Sequence, residues 1–269
     1  MYVILNSTRK IIFLILINFL LLSPAMAFEE CLIAKEGNKT LLQTGQCEQR
    51  YSPASTFKIA ISLMGYDAGI LLDRTHPVWP YKEKYRASLA IWKQSHNPST
   101  WLAHSCVWYS QVITQKLGLE KFTNYIEQFQ YGNKDVSGDK GLHNGLTRAW
   151  LSSSLQISPL EEVSFLQKLL ASDLPVNKKA QEMTRENLYI KTWPNGWKLY
   201  GKTGAGQCQD AQGNKENICQ MGWFVGWLQK EKQQVVFAHY KQFPGKNCLS
   251  MGQLVKQEAL FKLEPLIRS

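Results

Sequence analysis

Strand-like segments lie at both ends of this 269-residue chain, and a mainly helical stretch lies between them. Residues 31–35 and 39–43 flank the turn residues Glu36-Gly37-Asn38, which predicts a hairpin. Beyond Gly196, three apolar runs joined by polar turns predict an antiparallel meander, and they cover residues 197–203, 221–228 and 234–240. We therefore expect an α+β fold, with an antiparallel sheet flanked by helices and an inserted, mainly helical lobe.

Helical spacing of apolar residues organises the middle of the chain. Residues 105–117 predict one helix, Gly118 its end, and residues 119–129 a second helix. Ser158-Pro159-Leu160-Glu161 combines an N-cap serine, a first-turn proline and a capping-box glutamate, so another helix should begin there. Three prolines within residues 73–100 predict an ordered, irregular loop region. A last helix is expected over 251–266.

The first 27 residues have the pattern of a secretory signal peptide. Arg9 and Lys10 precede the apolar run 11–22, and the segment ends in Ala25-Met26-Ala27. We expect cleavage after Ala27, periplasmic localisation, and no stable membrane association afterwards. The remaining residues, 28–269, should form a single catalytic domain, with a sheet lobe over about 28–75 and 190–269 and a helical lobe over about 76–189.

Charge and cysteine content exclude some function classes. Loss of Arg9 and Lys10 with the signal lowers the formal charge from +10 to +8, and the remaining lysines are scattered, so nucleic acid is not an expected partner. Export permits disulfides, and Cys31 with Cys47 and Cys208 with Cys219 each close a short polar loop. Cys106 and Cys248 would then be free thiols. Spacings typical of metal ligands are missing from the sequence, so we expect no metal site.

One of three Ser-x-x-Lys sequences stands where a helix is expected to begin. Ser55 and Lys58 precede the apolar run 59–64, whereas the other matches cover 7–10 and 137–140. Residues three apart on a helix share a face, with about 5–6 Å between their Cβ atoms. The Lys58 amine should therefore reach the Ser55 hydroxyl, so that one helical turn would supply a nucleophile and its base.

The single Lys-Thr-Gly sequence of the chain lies at residues 202–204, on a predicted strand that runs into glycines. A strand edge that ends in glycines lets a substrate backbone lie alongside it. Lys202 would supply positive charge, and Thr203 a hydroxyl that can donate to a carboxylate. We expect this edge to bind substrate.

Four short motifs follow one another along the chain: Ser55-x-x-Lys58, Ser105-Cys106-Val107, Tyr131-Gly132-Asn133 and Lys202-Thr203-Gly204. With this set the chain resembles the penicilloyl-serine transferases, and specifically the class D β-lactamases (oxacillinases). The Ser-x-Val and Tyr-Gly-Asn sequences separate that class from class A enzymes and from most penicillin-binding proteins. The resemblance covers essentially the whole mature chain. It implies a serine β-lactamase that hydrolyses the lactam amide of penicillin-type antibiotics, small molecules, and confers resistance.

The resemblance also implies roles for individual residues. Ser55 would form the acyl-enzyme, and Lys58, carboxylated by carbon dioxide, would be the general base, with no other cofactor. Burial of Lys58 is a requirement, since an amine with the reference pKa of about 10.4 is almost wholly protonated at neutral pH. Trp150 would stabilise the carbamate through its indole N–H. The remaining implied roles are a proton relay through Ser105 and Lys202, an oxyanion hole from the backbone N–H groups of Ser55 and Ala205, and substrate binding by Val107, Thr203, Gly204 and Ala205.

Two positions stay open. Trp92 either lines the substrate cleft or packs within the loop region. Many class D enzymes bind the substrate carboxylate with an arginine after the last central strand, and this chain has no arginine between residues 185 and 268. Thr203, together with Lys246 or Ser250, is the predicted substitute. Tyr-Gly-Asn is expected to be a structural turn near the cleft.

Two other functions compete with hydrolysis of β-lactams. A β-lactam sensor domain would acylate at Ser55 without releasing product. A low-mass transpeptidase or carboxypeptidase would carry Ser-x-Asn in place of Ser-x-Val. A Ser-His-Asp hydrolase is not indicated, because no Gly-x-Ser-x-Gly sequence accompanies the five histidines.

Overall fold

Six strands form one antiparallel sheet in a computed structural model that describes residues 29–210, 213–245 and 251–268. Across the sheet the order is β2-β1-β6-β5-β4-β3. The strands are β1 (Glu30–Glu36), β2 (Lys39–Gly45), β3 (Tyr189–Thr192), β4 (Lys198–Gln209), β5 (Lys215–Lys230) and β6 (Gln233–Pro244). The α-helices of the described residues are α1 (Lys58–Asp67), α2 (Pro98–His104), α3 (Val107–Phe129), α4 (Gly145–Arg148), α5 (Pro159–Ala171), α6 (Lys178–Asn187) and α7 (Met251–Leu263). The expected α+β class, with helices flanking an antiparallel sheet, is confirmed.

The two ends of the chain meet in the sheet, where β1 pairs with β6. Cys31 lies opposite Tyr240, and Ile33 lies opposite Ala238. The N-terminal hairpin thereby extends the C-terminal meander, as the sequence predicts. Residues 221–228 of β5 and 235–240 of β6 are all buried, because helices cover both faces of the sheet.

Two apolar cores lie on opposite faces of the sheet. The larger core contains the buried side of α1, α3 and α5. In the smaller core, Phe224 and Phe237 of the sheet pack with Val255, Ala259 and Leu263 of α7. Burial of a large apolar side chain stabilises a fold by about 1.5–3 kcal/mol, so these contacts fix α7 against β5 and β6.

Several predicted helix boundaries are confirmed. Gly118 has φ 76° and ψ 163°, so α3 consists of two helical segments separated at that glycine. At the start of α5 the Ser158 side chain accepts from the Glu161 N–H, and the Glu161 side chain accepts from the Ser158 N–H. The predicted C-terminal helix is α7, followed by a 3₁₀ turn over Glu264–Ile267.

The elements that escaped prediction include α2, α6 and β3. The helix α2 begins within the region expected to be irregular, since Asn97 caps it and Pro98 occupies its first turn. The helix α6 contains few apolar residues, so its buried face is hard to see in the sequence. The strand β3 has four residues and pairs with β4 alone.

Both predicted disulfides are present, Cys31–Cys47 and Cys208–Cys219. Cys106 is a buried free thiol, as expected. Cys248 and the predicted signal peptide lie outside the described residues. Within the part of the chain that is described, no helix has the length and apolar character needed to cross a bilayer. The division into a sheet lobe and a helical lobe stays a prediction.

Candidate active site

Ser55 lies in a short 3₁₀ turn, Ala54–Phe57, that continues directly into α1. Lys58 is the first residue of α1, and its Nζ donates to Ser55 Oγ at 2.9 Å. Ala54 has φ 48°, in the left-handed region, so the chain enters this turn sharply. Ser55 is half-buried, whereas Lys58 is fully buried. The structure thus brings the serine hydroxyl and the lysine amine together, with the hydroxyl on the more open side.

Burial determines the charge of Lys58. Loss of hydration lowers the pKa of Lys58 to about 7. Burial likewise raises the pKa of the Cys106 thiol to about 11, so this thiol is neutral at physiological pH. A large fraction of the Lys58 amine is therefore neutral near pH 7, as a proton acceptor must be.

A second serine and lysine pair faces the same turn. Lys202 of β4 donates from Nζ to Ser105 Oγ at 2.9 Å and to the Thr203 carbonyl at 3.0 Å. Ser105 ends α2 in the left-handed conformation, with φ 57°. Burial, followed by the positive charges of Lys58 and Lys256, lowers the pKa of Lys202. A lowered pKa makes the Lys202 ammonium a stronger acid than an exposed lysine.

The edge of β4 lies open beside the Ser55 turn. The strand β3 pairs only with residues 198–200 of β4, which leaves the edge beyond them unpaired by that strand. A Cβ added to Gly204 would lie 3.0 Å from the Pro53 carbonyl and 3.3 Å from the Ser55 nitrogen. The absence of a side chain at Gly204 therefore lets the strand backbone approach the turn. Ala205, the next residue along this edge, is half-buried.

Trp150 is fully buried, and its indole Nε1 has no hydrogen-bond partner among the described residues. Its ring centroid lies 5.5 Å from that of Phe57, the residue before Lys58. An unpaired N–H group in a protein interior costs about 1–3 kcal/mol. This orphaned donor fits an additional acceptor group held at the Lys58 end of the site.

Val107 and Trp92 lie near Ser105. Val107 is the first residue of α3 and is half-buried. Trp92 is also half-buried, and its Nε1 donates to the carbonyl of His104, the residue before Ser105. The Trp92 carbonyl in turn accepts from the indole of Trp108. Both open readings of Trp92 are compatible with this position, because its ring packs against the core and is still partly exposed.

The Tyr-Gly-Asn motif forms a tight turn. Tyr131 is buried, and Gly132 has φ 53° with the Gln156 carbonyl only 1.9 Å from an added Cβ. Asn133 accepts from the Gln156 N–H and donates to the Ser154 carbonyl. The motif therefore ties the end of α3 to residues 154–156.

Lys256 is a residue that the sequence did not single out. The predicted substitutes for the missing arginine, Lys246 and Ser250, lie outside the described residues. A cavity of about 280 Å³ lies beside Lys202 and Thr203, and Lys256 of α7 lines it. Aspartate and glutamate are absent from its described lining. Burial, followed by the charge of Lys191, lowers the pKa of Lys256. In the sequence, the only sign of this role is that a lysine lies one turn after Gly252. To recognise it, one must know which face of α7 meets β4.

A group of side chains capable of ligating a metal lies at a different place, between the sheet and α7. Among the described residues it consists of Glu30, His239 and Glu258. Lys241 and Lys262 already form ion pairs with these carboxylates. The cluster is therefore largely neutralised by the protein's own cations.

Comparisons with known proteins agree with the geometry. Residues 29–262 match the family model "Penicillin binding protein transpeptidase domain". Beta-lactamase OXA-9 of Klebsiella pneumoniae is 41% identical over 230 residues, which are 85% of this chain and 84% of that protein. The crystal structure of the OXA-427 class D β-lactamase matches with a TM-score of 0.81 and 40% identity, covering 88% of this chain and 97% of the other.

One further match concerns the fold alone. The C-terminal domain of the Bacillus licheniformis BlaR penicillin-receptor has a TM-score of 0.75 and 24% identity, covering 88% of this chain and 89% of that chain. The architecture by itself thus does not separate a hydrolase from a receptor. Sequence identity does make that separation at the level of family, because this chain is 41% and 40% identical to the two β-lactamases. The chain belongs to the class D β-lactamases, within the penicillin-binding transpeptidase family.

Proposed function

We propose that this protein hydrolyses the lactam amide of penicillin-type antibiotics through an acyl-enzyme on Ser55, and so confers resistance to them. The observation that supports this most directly is the 2.9 Å contact between Ser55 Oγ and the fully buried Lys58 amine. Ser55 Oγ would bond to the lactam carbonyl carbon, its proton would pass to the base, and the lactam C–N bond would break. Water then releases the acyl group and regenerates Ser55.

We propose that Lys58 is carboxylated by carbon dioxide. The burial that lowers the pKa of Lys58 to about 7 also provides the neutral amine that reacts with carbon dioxide. When bound, the carboxyl group supplies an oxygen base for the Ser55 proton and later for the hydrolytic water. The orphaned Trp150 Nε1 is the donor that would hold it.

Ser105 and Lys202 are proposed to return a proton to the lactam nitrogen. Ser105 Oγ would give its proton to that nitrogen and receive one from Lys202 Nζ, 2.9 Å away. The lowered pKa of Lys202 favours this transfer. The backbone N–H groups of Ser55 and Ala205 would stabilise the negative charge that develops on the carbonyl oxygen.

The substrate would lie along the β4 edge, with Val107 and Gly204 contributing to the cleft. Its carboxylate would be bound by the Thr203 hydroxyl and by Lys256 across the cavity that they share. Two lysines and a hydroxyl, with no acid among the described lining residues, favour an anionic group at that position. Lys256 would do what an arginine after the last central strand does in many class D enzymes.

A turnover panel of β-lactams, with and without bicarbonate, tests the proposal. We expect steady hydrolysis of at least one penicillin, at a rate that rises with bicarbonate after acidic dialysis. A sensor domain, whose fold the BlaR receptor exemplifies, would give a single stoichiometric burst. Hydrolysis of D-Ala-D-Ala peptides in place of penicillins would favour a carboxypeptidase.

We propose that residues 1–27 are a signal peptide that directs export of the protein. Mass spectrometry of periplasmic protein should give a chain that begins at Phe28. A chain that retains Met1 in that fraction would contradict cleavage after Ala27.

A further inference from the structure

A glutamate in the first turn of α5 lies in the protein interior, next to the turn that carries Ser55. Glu162 has no exposed surface. Its Oε1 lies 2.9 Å from Thr56 Oγ1 and 2.9 Å from Tyr131 Oη. Its Oε2 is buried without a hydrogen-bond partner among the described residues. None of these atoms has a role in the reaction proposed above.

Counting hydrogens favours a neutral Glu162. Thr56 Oγ1 carries one proton and lies 2.8 Å from the Pro53 carbonyl, which can only accept. If Thr56 donates to Pro53, its contact with Glu162 needs a proton from the glutamate. Tyr131 can then donate its own proton to Glu162. A carboxylic acid with its proton on Oε1 satisfies all three contacts, because that hydroxyl donates to Thr56 and accepts from Tyr131. With a carboxylate the single threonine hydroxyl proton would go to Glu162, and the Pro53 carbonyl would keep the Thr56 backbone N–H alone.

The surroundings favour the neutral form as well. Burial raises the pKa of Glu162 to about 7, against the lowering effect of the Thr56 and Tyr131 hydrogen bonds. The neighbouring carboxylate of Glu161 acts in the same direction as burial, although Arg50 pairs with it. The N-terminal end of the helix dipole favours the anion, but by less than full burial disfavours it. Tyr131 stays neutral because burial raises its pKa well above its ordinary value.

The network reaches the nucleophile from two directions. Thr56 is the residue after Ser55, and its hydroxyl and backbone N–H both bond the Pro53 carbonyl. The Tyr131 ring lies 5.2 Å from the ring of Phe57, the residue before Lys58. Both residues between Ser55 and Lys58 are therefore held by the Glu162 and Tyr131 pair.

We propose that Glu162 is a positioning residue for acylation: as a neutral acid it donates to Thr56, accepts from Tyr131, and so fixes the turn that presents Ser55 to substrate. This inference rests on the proposed acylation of Ser55. It also gives Tyr131 of the Tyr-Gly-Asn motif a definite role, which is to donate a hydrogen bond to Glu162.

Two substitutions and one control test the proposal. Glu162→Gln keeps a neutral group of the same shape whose amide N–H groups can donate to Thr56 and to Tyr131, Glu162→Leu removes every hydrogen bond at this position, and Glu120→Gln changes an exposed glutamate on α3. The first readout is the rate of Ser55 labelling by a fluorescent penicillin per folded molecule, from pH 6 to pH 9. The second is the infrared C=O band of a protonated carboxyl group at pH 6.

We expect the Leu variant to label about 10- to 100-fold more slowly, because small displacements of a nucleophile have effects of that size. The Gln variant should label at close to the parent rate at pH 6 and lack the infrared band, which parent and Glu120→Gln share. Labelling of the Leu variant at the parent rate, or a parent without the band, would overturn the proposal. If the Leu variant does not fold, labelling of the Gln variant as slow as a tenth of the parent rate would overturn it. Absence of labelling in the parent would instead refute the acylation of Ser55.

Discussion

Lys58 and Lys202 both lie in the protein interior, where a charged ammonium group lacks the hydration that stabilises it in water. Their described hydrogen-bond partners are serine hydroxyls and, for Lys202, a carbonyl group. Each therefore has a lowered pKa, and the charge of Lys58 lowers that of Lys202 further. One lysine beside Ser55 and another beside Ser105 are thus placed to take up one proton and to return another.

Replacement of Lys58 tests its role as the base. Lys58→Ala should reduce kcat by about 100-fold or more, the size of effect expected for a general base. Acylation should still occur slowly, and the adduct on Ser55 should persist and be visible by mass spectrometry. The matched control is Lys121→Ala, at an exposed position on α3. Normal turnover by the Lys58 variant would remove the residue from the mechanism.

Trp150 can be tested by its effect on the response to bicarbonate. Trp150→Phe keeps an aromatic ring and removes the N–H, so we expect half-maximal activation at a bicarbonate concentration about 10-fold higher, the equivalent of one lost hydrogen bond. Trp227→Phe is the control, because its Nε1 is likewise buried and has no hydrogen-bond partner within the described part of the chain, but Trp227 lies on β5. Equal bicarbonate curves for the two variants would argue against a carboxyl group bound by Trp150.

At the scale of elements, the site is a junction between a helix start, a strand edge and a helix face. The 3₁₀ turn before α1 carries Ser55, β4 carries Lys202 and its glycines, and α7 carries Lys256. Gly204 and Gly252 make the junction possible, since an added Cβ at Gly252 would lie 2.8 Å from the Gly204 carbonyl. Close backbone contact of this kind fixes α7 against the strand and sets the reach of Lys256.

The α7 lysine is expected to determine recognition of the substrate carboxylate. Lys256→Met should raise KM for carboxylate-bearing β-lactams by about 10-fold, the value of one charge-assisted hydrogen bond, with little change in kcat. The methyl ester of the same β-lactam should be hydrolysed equally well by variant and parent. Lys256→Arg should restore much of the loss, and Lys232→Met, at an exposed turn, should have no effect. Equal losses on acid and ester would mean that Lys256 is only structural.

At the scale of the whole molecule, the buried lysine imposes a stability cost that depends on pH. The pKa of Lys58 falls from 10.5 in the unfolded chain to about 7 in the fold. Between these values the unfolded chain binds the proton and the folded protein does not, so stability rises with pH. The cost is fully present below pH 7 and fades as the pH approaches 10.5.

Denaturant unfolding in carbon dioxide-free buffer measures this effect. From pH 7.5 to pH 9.5, Lys58 should add up to about 1.4 kcal/mol per pH unit to the free energy of unfolding. Lys58→Met should lack this contribution, so the difference between the two proteins should change with that slope. Glu162 does not interfere, because its pKa of about 7 places its own effect at lower pH. Parallel curves over the range would contradict a lowered pKa at Lys58.

Local features of this protein were readable from the sequence because neighbours in the chain produce them. The capping box at Ser158, the break at Gly118 and the approach of Lys58 to Ser55 depend on residues at most four positions apart. The disulfide pairs also close short loops. The motif order then pointed to the family, and the sheet formed from both ends of the chain followed from strand periodicity.

Contacts between distant segments were decided only by the tertiary structure. Ser137 and Lys140 match the same pattern as Ser55 and Lys58, yet they are exposed in a loop, because no apolar run follows to bury them. The placement of Lys256 and Glu162 depends on which helix face meets the sheet or the Ser55 turn. Such contacts follow from register and packing across the whole core, and no local spacing encodes them. The sequence by itself determined which serine and lysine are neighbours, and the fold decided what surrounds them.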